Sequence, residues 1–114
     1  MITVIFEAWP ATGQQDIYLD LARTMRRELA EIEGFVSVER FQSLSETGKL
    51  LSLSFFRDEA AVRAWRNLPC HRAAQAEGRG VVFADYRLRV AKVRRDYGRF
   101  HREESPADSR RMLE

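Results

Sequence analysis

The chain has 114 residues, of which 45% are hydrophobic, so one domain can bury a core without disulfides or metal ions. Its 19 basic and 17 acidic side chains are interspersed, which argues against the one-sign field of a nucleic-acid or membrane-binding protein. A single cysteine, Cys70, and the lack of metal-ligand spacing favour a reducing, cytoplasmic setting without zinc. The sequence shows neither a signal-peptide pattern nor an apolar run near the ~20 residues of a membrane span, so we expect no export by a cleaved signal and no embedding.

The first predicted element is a strand at residues 2–9, which is rich in β-branched and aromatic side chains. Both of its faces are mostly apolar, and this is typical of a central strand. Glu7 is its only charged residue, and Pro10 ends the pattern.

A helix is predicted from about Gln15, because apolar residues recur every three or four positions from Ile17 to Ile32. Gly34 stands just past the last of them, where a helix commonly ends in a left-handed residue. The chain then turns back into a second strand, predicted at residues 35–44.

A hairpin is predicted next, because the polar turn at residues 46–49 separates two strand-like runs. In the third strand, at residues 50–56, leucine and phenylalanine alternate with serine. Asp58 is placed to cap a second helix, whose inner face would carry Trp65.

Pro69 interrupts that helix, and residues 70–77 can form a further short helix. The last strand is predicted at residues 81–95, near a sheet edge. Residues 97–114 are charge-rich and show no sustained periodicity. They predict a tail or an arm that clasps a partner, after a single domain at residues 1–96.

This order of elements predicts a ferredoxin-like α+β fold, β-α-β-β-α-β, with two helices on one face of a four-stranded antiparallel sheet. The other face is too apolar for water, since it would carry Phe35, Phe41 and one face of the first strand. A homodimer through this sheet face is the simplest way to cover it.

The order of elements, with LSLSFFRDEAAVRAW at residues 51–65 and LPCHR at residues 68–72, resembles the antibiotic biosynthesis monooxygenase family of dimeric α+β barrels. The resemblance covers about residues 2–95. Its most specific part is an acidic-capped helix that carries a tryptophan, with a histidine six residues later. It implies one of three roles: a cofactor-independent oxygenase of polycyclic phenols, a haem-degrading enzyme, or a small protein without an assigned role.

In the haem-degrading members, an asparagine late in the first strand, a tryptophan on the second helix and a histidine ten residues later surround the porphyrin. This chain has Trp65, but Glu7 stands at the asparagine position and Gln75 at the histidine position. A carboxylate would repel the haem propionates, and glutamine is a poor iron ligand, so haem is disfavoured as a cofactor. His71 could replace the axial ligand only if the helix were rotated or shifted.

In the quinone-forming members, a tryptophan, a proton-handling residue about six positions later and an arginine on the last strand gather round the substrate. Trp65, His71 and Arg87 are placed comparably, although His71 stands where the phenolic type has tyrosine. The resemblance implies that His71 takes the phenolic proton, Arg87 steadies the phenolate and Trp65 stacks on the ring. Arg87 is the weaker candidate, because it faces a partner if Leu88 and Val90 face the helices.

Glu7 completes the predicted catalytic set, because a carboxylate on a central strand either lines a cavity or meets an arginine across a dimer. Trp65 and His71 also have structural interpretations, as a core side chain and as a helix-end hydrogen-bonding group. The predicted substrate-binding residues are Phe6, Phe55, Phe83 and Tyr86.

We therefore expect a cofactor-independent, metal-free monooxygenase that holds a small aromatic or quinone-type molecule between the sheet and the helices. Two alternatives stay open. One is a dimeric module that binds a hydrophobic metabolite without converting it, and the other, disfavoured, is a haem-binding or haem-degrading protein.

Overall fold

The structure is a computed structural model that describes residues 1–69 and 82–113. In chain order, these residues form β1 (Ile2–Pro10), α1 (Gln15–Leu29), β2 (Phe35–Gln42), β3 (Leu50–Phe56), α2 (Glu59–Arg66), β4 (Phe83–Lys92) and α3 (Ala107–Leu113). The short helix predicted at residues 70–77 lies outside the described residues. Within the described part of the chain, no helix is both long enough and apolar enough to cross a membrane.

The four strands form one antiparallel sheet in the order β2-β3-β1-β4. β1 pairs with both β3 and β4, so the prediction of a central first strand is confirmed. Both α1 and α2 pack on the same face of the sheet, here called the inner face, and the opposite face is called the outer face. This is the ferredoxin-like arrangement that the sequence predicts.

The core lies between the inner face and the two helices. Phe56 is fully buried there, and Val4 and Val62 are almost as completely enclosed. Burial of each such side chain contributes about 1.5–3 kcal/mol to folding. Two clusters make up this core: Ile2, Val4, Leu29, Val38, Phe56, Ala61 and Val62 in one, and Tyr18, Leu50 and Val82 in the other.

Two local signals of the sequence are confirmed around the start of α2. Gly34 has the predicted left-handed conformation, φ +91°. It does not end the helix, because α1 ends at Leu29 with Ala30 as its C-cap. The Gly34 carbonyl accepts the N–H of Arg57 at 2.6 Å. Asp58 caps α2, because its Oδ1 accepts the N–H of Ala61 at 2.9 Å. The entry into β2 is thereby joined to the first turn of α2.

The predicted outer-face position of Phe35 is wrong. The pairing of β2 with β3 shifts register between Phe35 and Ser37, and this irregularity turns the Phe35 ring inward. There it packs edge-on against Phe56, with ring centroids 5.8 Å apart. Phe41 lies beyond the shift, opposite Leu51 on the outer face, and is 41% exposed, as predicted.

The C-terminal segment contains more structure than its sequence predicts. α3 forms within it, and Arg110 joins the helix to the preceding turn by donating to the Ser105 hydroxyl and to the Glu103 carbonyl, each at 2.8 Å. Ser105 is buried. A helix of seven residues is too short to show periodicity, which explains why the pattern gave no signal. Contact of this segment with a partner stays a prediction.

Candidate functional site

A cavity of about 270 Å³ lies between the inner face and helices α1 and α2. Its lining is mostly apolar: Leu21 and Met25 come from α1, Trp65 from α2, and Leu88 from β4. Tyr86 and Leu88 remain 43% and 45% exposed, so the cavity opens to solvent beside the edge strand β4.

Four aromatic rings form one wall of the cavity. The Phe83 centroid lies 5.5 Å from that of Phe6 and 5.2 Å from that of Tyr18, both in edge-to-face contact, and Tyr86 lies 5.7 Å from Phe6. Such geometry is favourable for aromatic pairs and fixes the rings in place. Phe6, Phe83 and Tyr86 thus lie together at the cavity, where the sequence analysis expected them.

Tyr18 was missed because Ile17 was taken as the first residue of the buried stripe of α1. In the structure Tyr18 is buried, whereas Ile17 is 45% exposed. Spacing from the later apolar positions Leu21 and Met25 fits Tyr18 at least as well, so the signal was present.

Trp65 is partly buried on α2 and lines the cavity. Its ring packs against that of Phe56, with centroids 5.7 Å apart. The residue therefore belongs to the edge of the core and to the cavity wall at once, which joins the two interpretations that its sequence position allowed.

The polar part of the lining comes from β2 and β3. Ser52 and Ser54 point inward from β3, and Arg40 does so from β2, directly opposite Ser52 in the pairing. The Ser54 hydroxyl donates to the Val4 carbonyl at 3.4 Å. The Arg40 Nε is buried and has no hydrogen-bond partner among the described residues. Sequence reasoning missed Arg40, although it shares a strand face with the core residue Val38.

Glu7 does not line the cavity, and the prediction that it does is wrong. Because Phe6 faces inward, Glu7 faces outward, where it is 25% exposed. Its two carboxylate oxygens lie 3.4 Å from the Lys49 Nζ and 3.2 Å from the Arg89 Nη1. One arginine beside it thus comes from the neighbouring strand of the same chain. A contact of Glu7 with an arginine across a dimer stays a prediction.

Arg87 and Phe55 also lie on the outer face, away from the predicted site. Arg87 pairs with Glu7 in the register of β4 with β1, and Phe55 pairs with Thr3 in that of β3 with β1. The prediction that they line the cavity is therefore wrong. Alternation places Leu88 inward in the first case and Ser54 inward in the second.

Three residues of the sequence-based argument lie outside the described residues: His71, Cys70 and Gln75. Glu7 is not placed to repel the propionates of a haem bound in the cavity, because it lies on the outer face. Among residues 1–69 and 82–113, no group of three or more His, Cys, Asp and Glu side chains is placed to hold a metal ion.

Two neighbouring side chains at the start of α2 shift each other's pKa. The N–H of Ala61 and then the Arg57 guanidinium lower the pKa of Asp58 below its ordinary value of 3.8. In return, the hydrogen bond to Asp58 and its charge raise the pKa of Arg57. These groups are solvent-facing, so they fix the helix that carries Trp65 rather than take part in the cavity.

Several known proteins are similar to this chain in sequence or in fold. The family model for antibiotic biosynthesis monooxygenase matches residues 1–77. A protein named jasmonate monooxygenase ABM, from Pyricularia oryzae, is 48% identical over 93 residues, which are 82% of this chain and 43% of that protein. The chain thus spans less than half the length of this relative. The uncharacterized protein YqjZ from Bacillus subtilis is 33% identical over 78 residues, 68% of this chain and 67% of that protein.

Solved structures agree on the fold. SnoaB, a cofactor-independent oxygenase from Streptomyces nogalater, superposes with a TM-score of 0.71 at 13% identity, over 83% of this chain and 94% of that one. At such low identity the likeness shows the fold alone. The family model and the relative from Pyricularia oryzae show more: the chain belongs to the antibiotic biosynthesis monooxygenase family.

Proposed function

We propose that the chain is a cofactor-independent monooxygenase acting on a small aromatic or quinone-type molecule held in the inner-face cavity. The observation that carries the proposal is the cavity itself, about 270 Å³ and walled by Trp65 and the rings of Phe6, Phe83 and Tyr86. Concave, apolar sites with few polar groups are typical of small-molecule binding. Family membership supports a monooxygenase reaction at this site.

The proposed reaction balances without an added reductant. An electron-rich phenol supplies all four electrons that O₂ needs, and it becomes a quinone. One oxygen atom enters the ring as the new carbonyl, and the other leaves as water with the phenolic hydrogen and the hydrogen displaced from that ring carbon. The protein has to bind the ring, exclude water and accept the phenolic proton.

Trp65 is the residue proposed to stack on the substrate ring, because its side chain lines the cavity. His71 is proposed to accept the proton, since its ordinary pKa of about 6.5 suits that task. The role of His71 rests on sequence alone.

A second candidate is a module that binds a hydrophobic metabolite without converting it. One observation favours it: among the described residues that line the cavity there is one cation, Arg40, and no carboxylate or histidine that could act as a base. In this case the cavity shelters its ligand, and no proton needs to be transferred.

Oxygen uptake separates the candidates. The purified protein is assayed without cofactor against naphthols and hydroquinones, whose rings can supply the electrons that O₂ takes up. We expect Trp65→Leu to lower kcat/KM by about 10-fold, since it removes a stacking surface. Trp9→Leu is the matched control, because Trp9 lies on the outer face, where its Nε1 donates to Glu46 at 3.1 Å.

The outcomes point in different directions. Loss of uptake in both tryptophan variants alike would contradict the cavity as the site. Tight binding without any uptake would establish the second candidate. A Soret band on haem titration that disappears in His71→Ala would restore the haem alternative.

We also propose that a second copy of the chain covers the outer face. Ile5, Leu53 and Phe55 form its apolar centre, and Phe41 is 41% exposed beside them. The charged group made by Glu7, Lys49 and Arg89 carries both signs, so two copies related by a two-fold axis can oppose unlike charges.

Sedimentation tests the dimer. Leu53→Arg places a charge at the centre of the outer face, whereas Ile17→Arg places the same charge on a side chain of α1 that is already 45% exposed. We expect the wild-type protein and Ile17→Arg to sediment as dimers, and Leu53→Arg as a monomer. A stable wild-type monomer at micromolar concentration would contradict the proposal.

A further inference from the structure

Arg40 is the one cation among the described residues that line the inner-face cavity. None of the ion pairs formed by the described residues includes it. Its Nε is excluded from solvent and has no hydrogen-bond partner among them. A buried donor without a partner is costly, and folded proteins seldom keep one unless it serves a ligand or another bound group.

Arg40 lines the cavity at one end of the sheet. It lies opposite Ser52 on the pairing strand, at the end of the cavity away from the opening at β4. A ligand whose anionic end lies at Arg40 would have its apolar part among the aliphatic and aromatic side chains nearer β4. Among the described residues that line the cavity, Arg40 is the cation that such an anionic end could meet.

The surroundings of Arg40 are also positive. A second, more open groove adjoins the cavity at Arg40, and its lining includes Arg26 and Arg23 from α1, the latter paired with Asp20. Glu39 is the one carboxylate among the described residues that line this groove. These cations beside Arg40 make the electrostatic potential at this end of the cavity more positive, which favours an anionic group there.

From this placement we propose that Arg40 binds the carboxylate of an aromatic monocarboxylic acid, whose ring fills the aromatic-walled cavity. The edge of a guanidinium that includes Nε donates two parallel hydrogen bonds, and a carboxylate accepts them in matching geometry. Ser52 lies close enough in the strand pairing to add a hydroxyl donor. The inference rests on the proposed function, because it names the class of molecule that the same cavity takes.

The probe pair is phenylbutyrate and its methyl ester, which differ only in the anionic end. Binding is followed by the fluorescence of Trp65 in a Trp9→Phe background, because the chain has two tryptophans and this change leaves one reporter in the cavity. We expect the acid to bind at least about 10-fold more tightly than the ester, as a charge-assisted hydrogen bond should give.

Arg40→Met should weaken binding of the acid by about 10- to 100-fold and leave binding of the ester nearly unchanged. Arg40→Lys should give an intermediate loss, because lysine keeps the charge without the paired donors. Arg27→Met, which removes an exposed arginine from α1, is the control for net charge and should not affect either ligand.

Three results would overturn the inference. If acid and ester bind equally in the parent protein, the cavity takes a ligand as proposed but Arg40 does not select an anion. An equal loss for both ligands in Arg40→Met would assign Arg40 to the structure of the cavity instead. If neither ligand changes the fluorescence of Trp65, the ligand site in this cavity fails together with the inference.

Discussion

Replacement of Gly34 by alanine should destabilise the protein by more than its backbone conformation alone explains. At φ +91°, an added Cβ raises the free energy of the folded state by about 1–2 kcal/mol. Alanine also makes the unfolded chain less flexible than glycine does, and this offsets roughly 0.4–1 kcal/mol of that cost. The new Cβ would also lie 3.0 Å from the Ala61 Cβ and 3.4 Å from the Arg57 Cβ. Neither atom can move without its backbone, and overpacking of this kind costs about 1–3 kcal/mol.

The matched control is Gly48→Ala. Gly48 has φ +85°, and a Cβ built there meets nothing within 4 Å, so it carries the backbone cost without the contact. In urea unfolding at one fixed protein concentration, we expect Gly34→Ala to lower the midpoint by about 1 M more than Gly48→Ala does. Equal destabilisation of the two variants would refute the close packing of the β2 entry against the first turn of α2.

Two further predictions concern charged groups. Because the Ala61 N–H and then Arg57 lower the pKa of Asp58, the stabilisation from its charge is present above pH 3.8 and is lost as the pH falls through the lowered folded value. The difference in unfolding free energy between wild type and Asp58→Asn should thus shrink below about pH 3.8. Urea unfolding at a series of pH values measures this difference, and a value that does not change with pH would contradict the role of the Asp58 charge as a helix cap. Glu7→Gln should cost about 1 kcal/mol or less and leave oxygen uptake at the wild-type rate, whereas loss of uptake in a folded variant would return Glu7 to the site.

The features that the sequence predicted well depend on interactions within a few residues. Asp58 caps a helix through an N–H three residues later, and Gly34 supplies a conformation that other residues rarely adopt. The polar turn at residues 46–49 joins β2 and β3, which are neighbours in sequence and pair directly with each other. These local signals mark where each helix and strand begins and ends. The order of elements that they give is the order typical of the ferredoxin-like fold.

The faces of the strands were harder to assign, because alternation gives two sets of residues without saying which set is buried. In β1 both sets are mostly apolar, so Glu7 could be placed on either face. In β3 the more apolar set, with Phe55, faces outward, and the serines face the helices. This choice depends on the packing of α1 and α2, and it explains why Phe55 was misplaced and Arg40 overlooked.

The two inward serines of β3 have a consequence for how relatives of this protein could diverge. The side chains of Ser52 and Ser54 are far smaller than those of the leucines that alternate with them along β3. These two positions therefore help to determine the volume of the cavity that a ligand can occupy. A single substitution there could shorten or widen the accepted guest while the opposite surface of the sheet keeps its shape. Substitutions at the inward residues of β3 would then change ligand selectivity, and substitutions at its outward residues would change dimer formation, independently of each other.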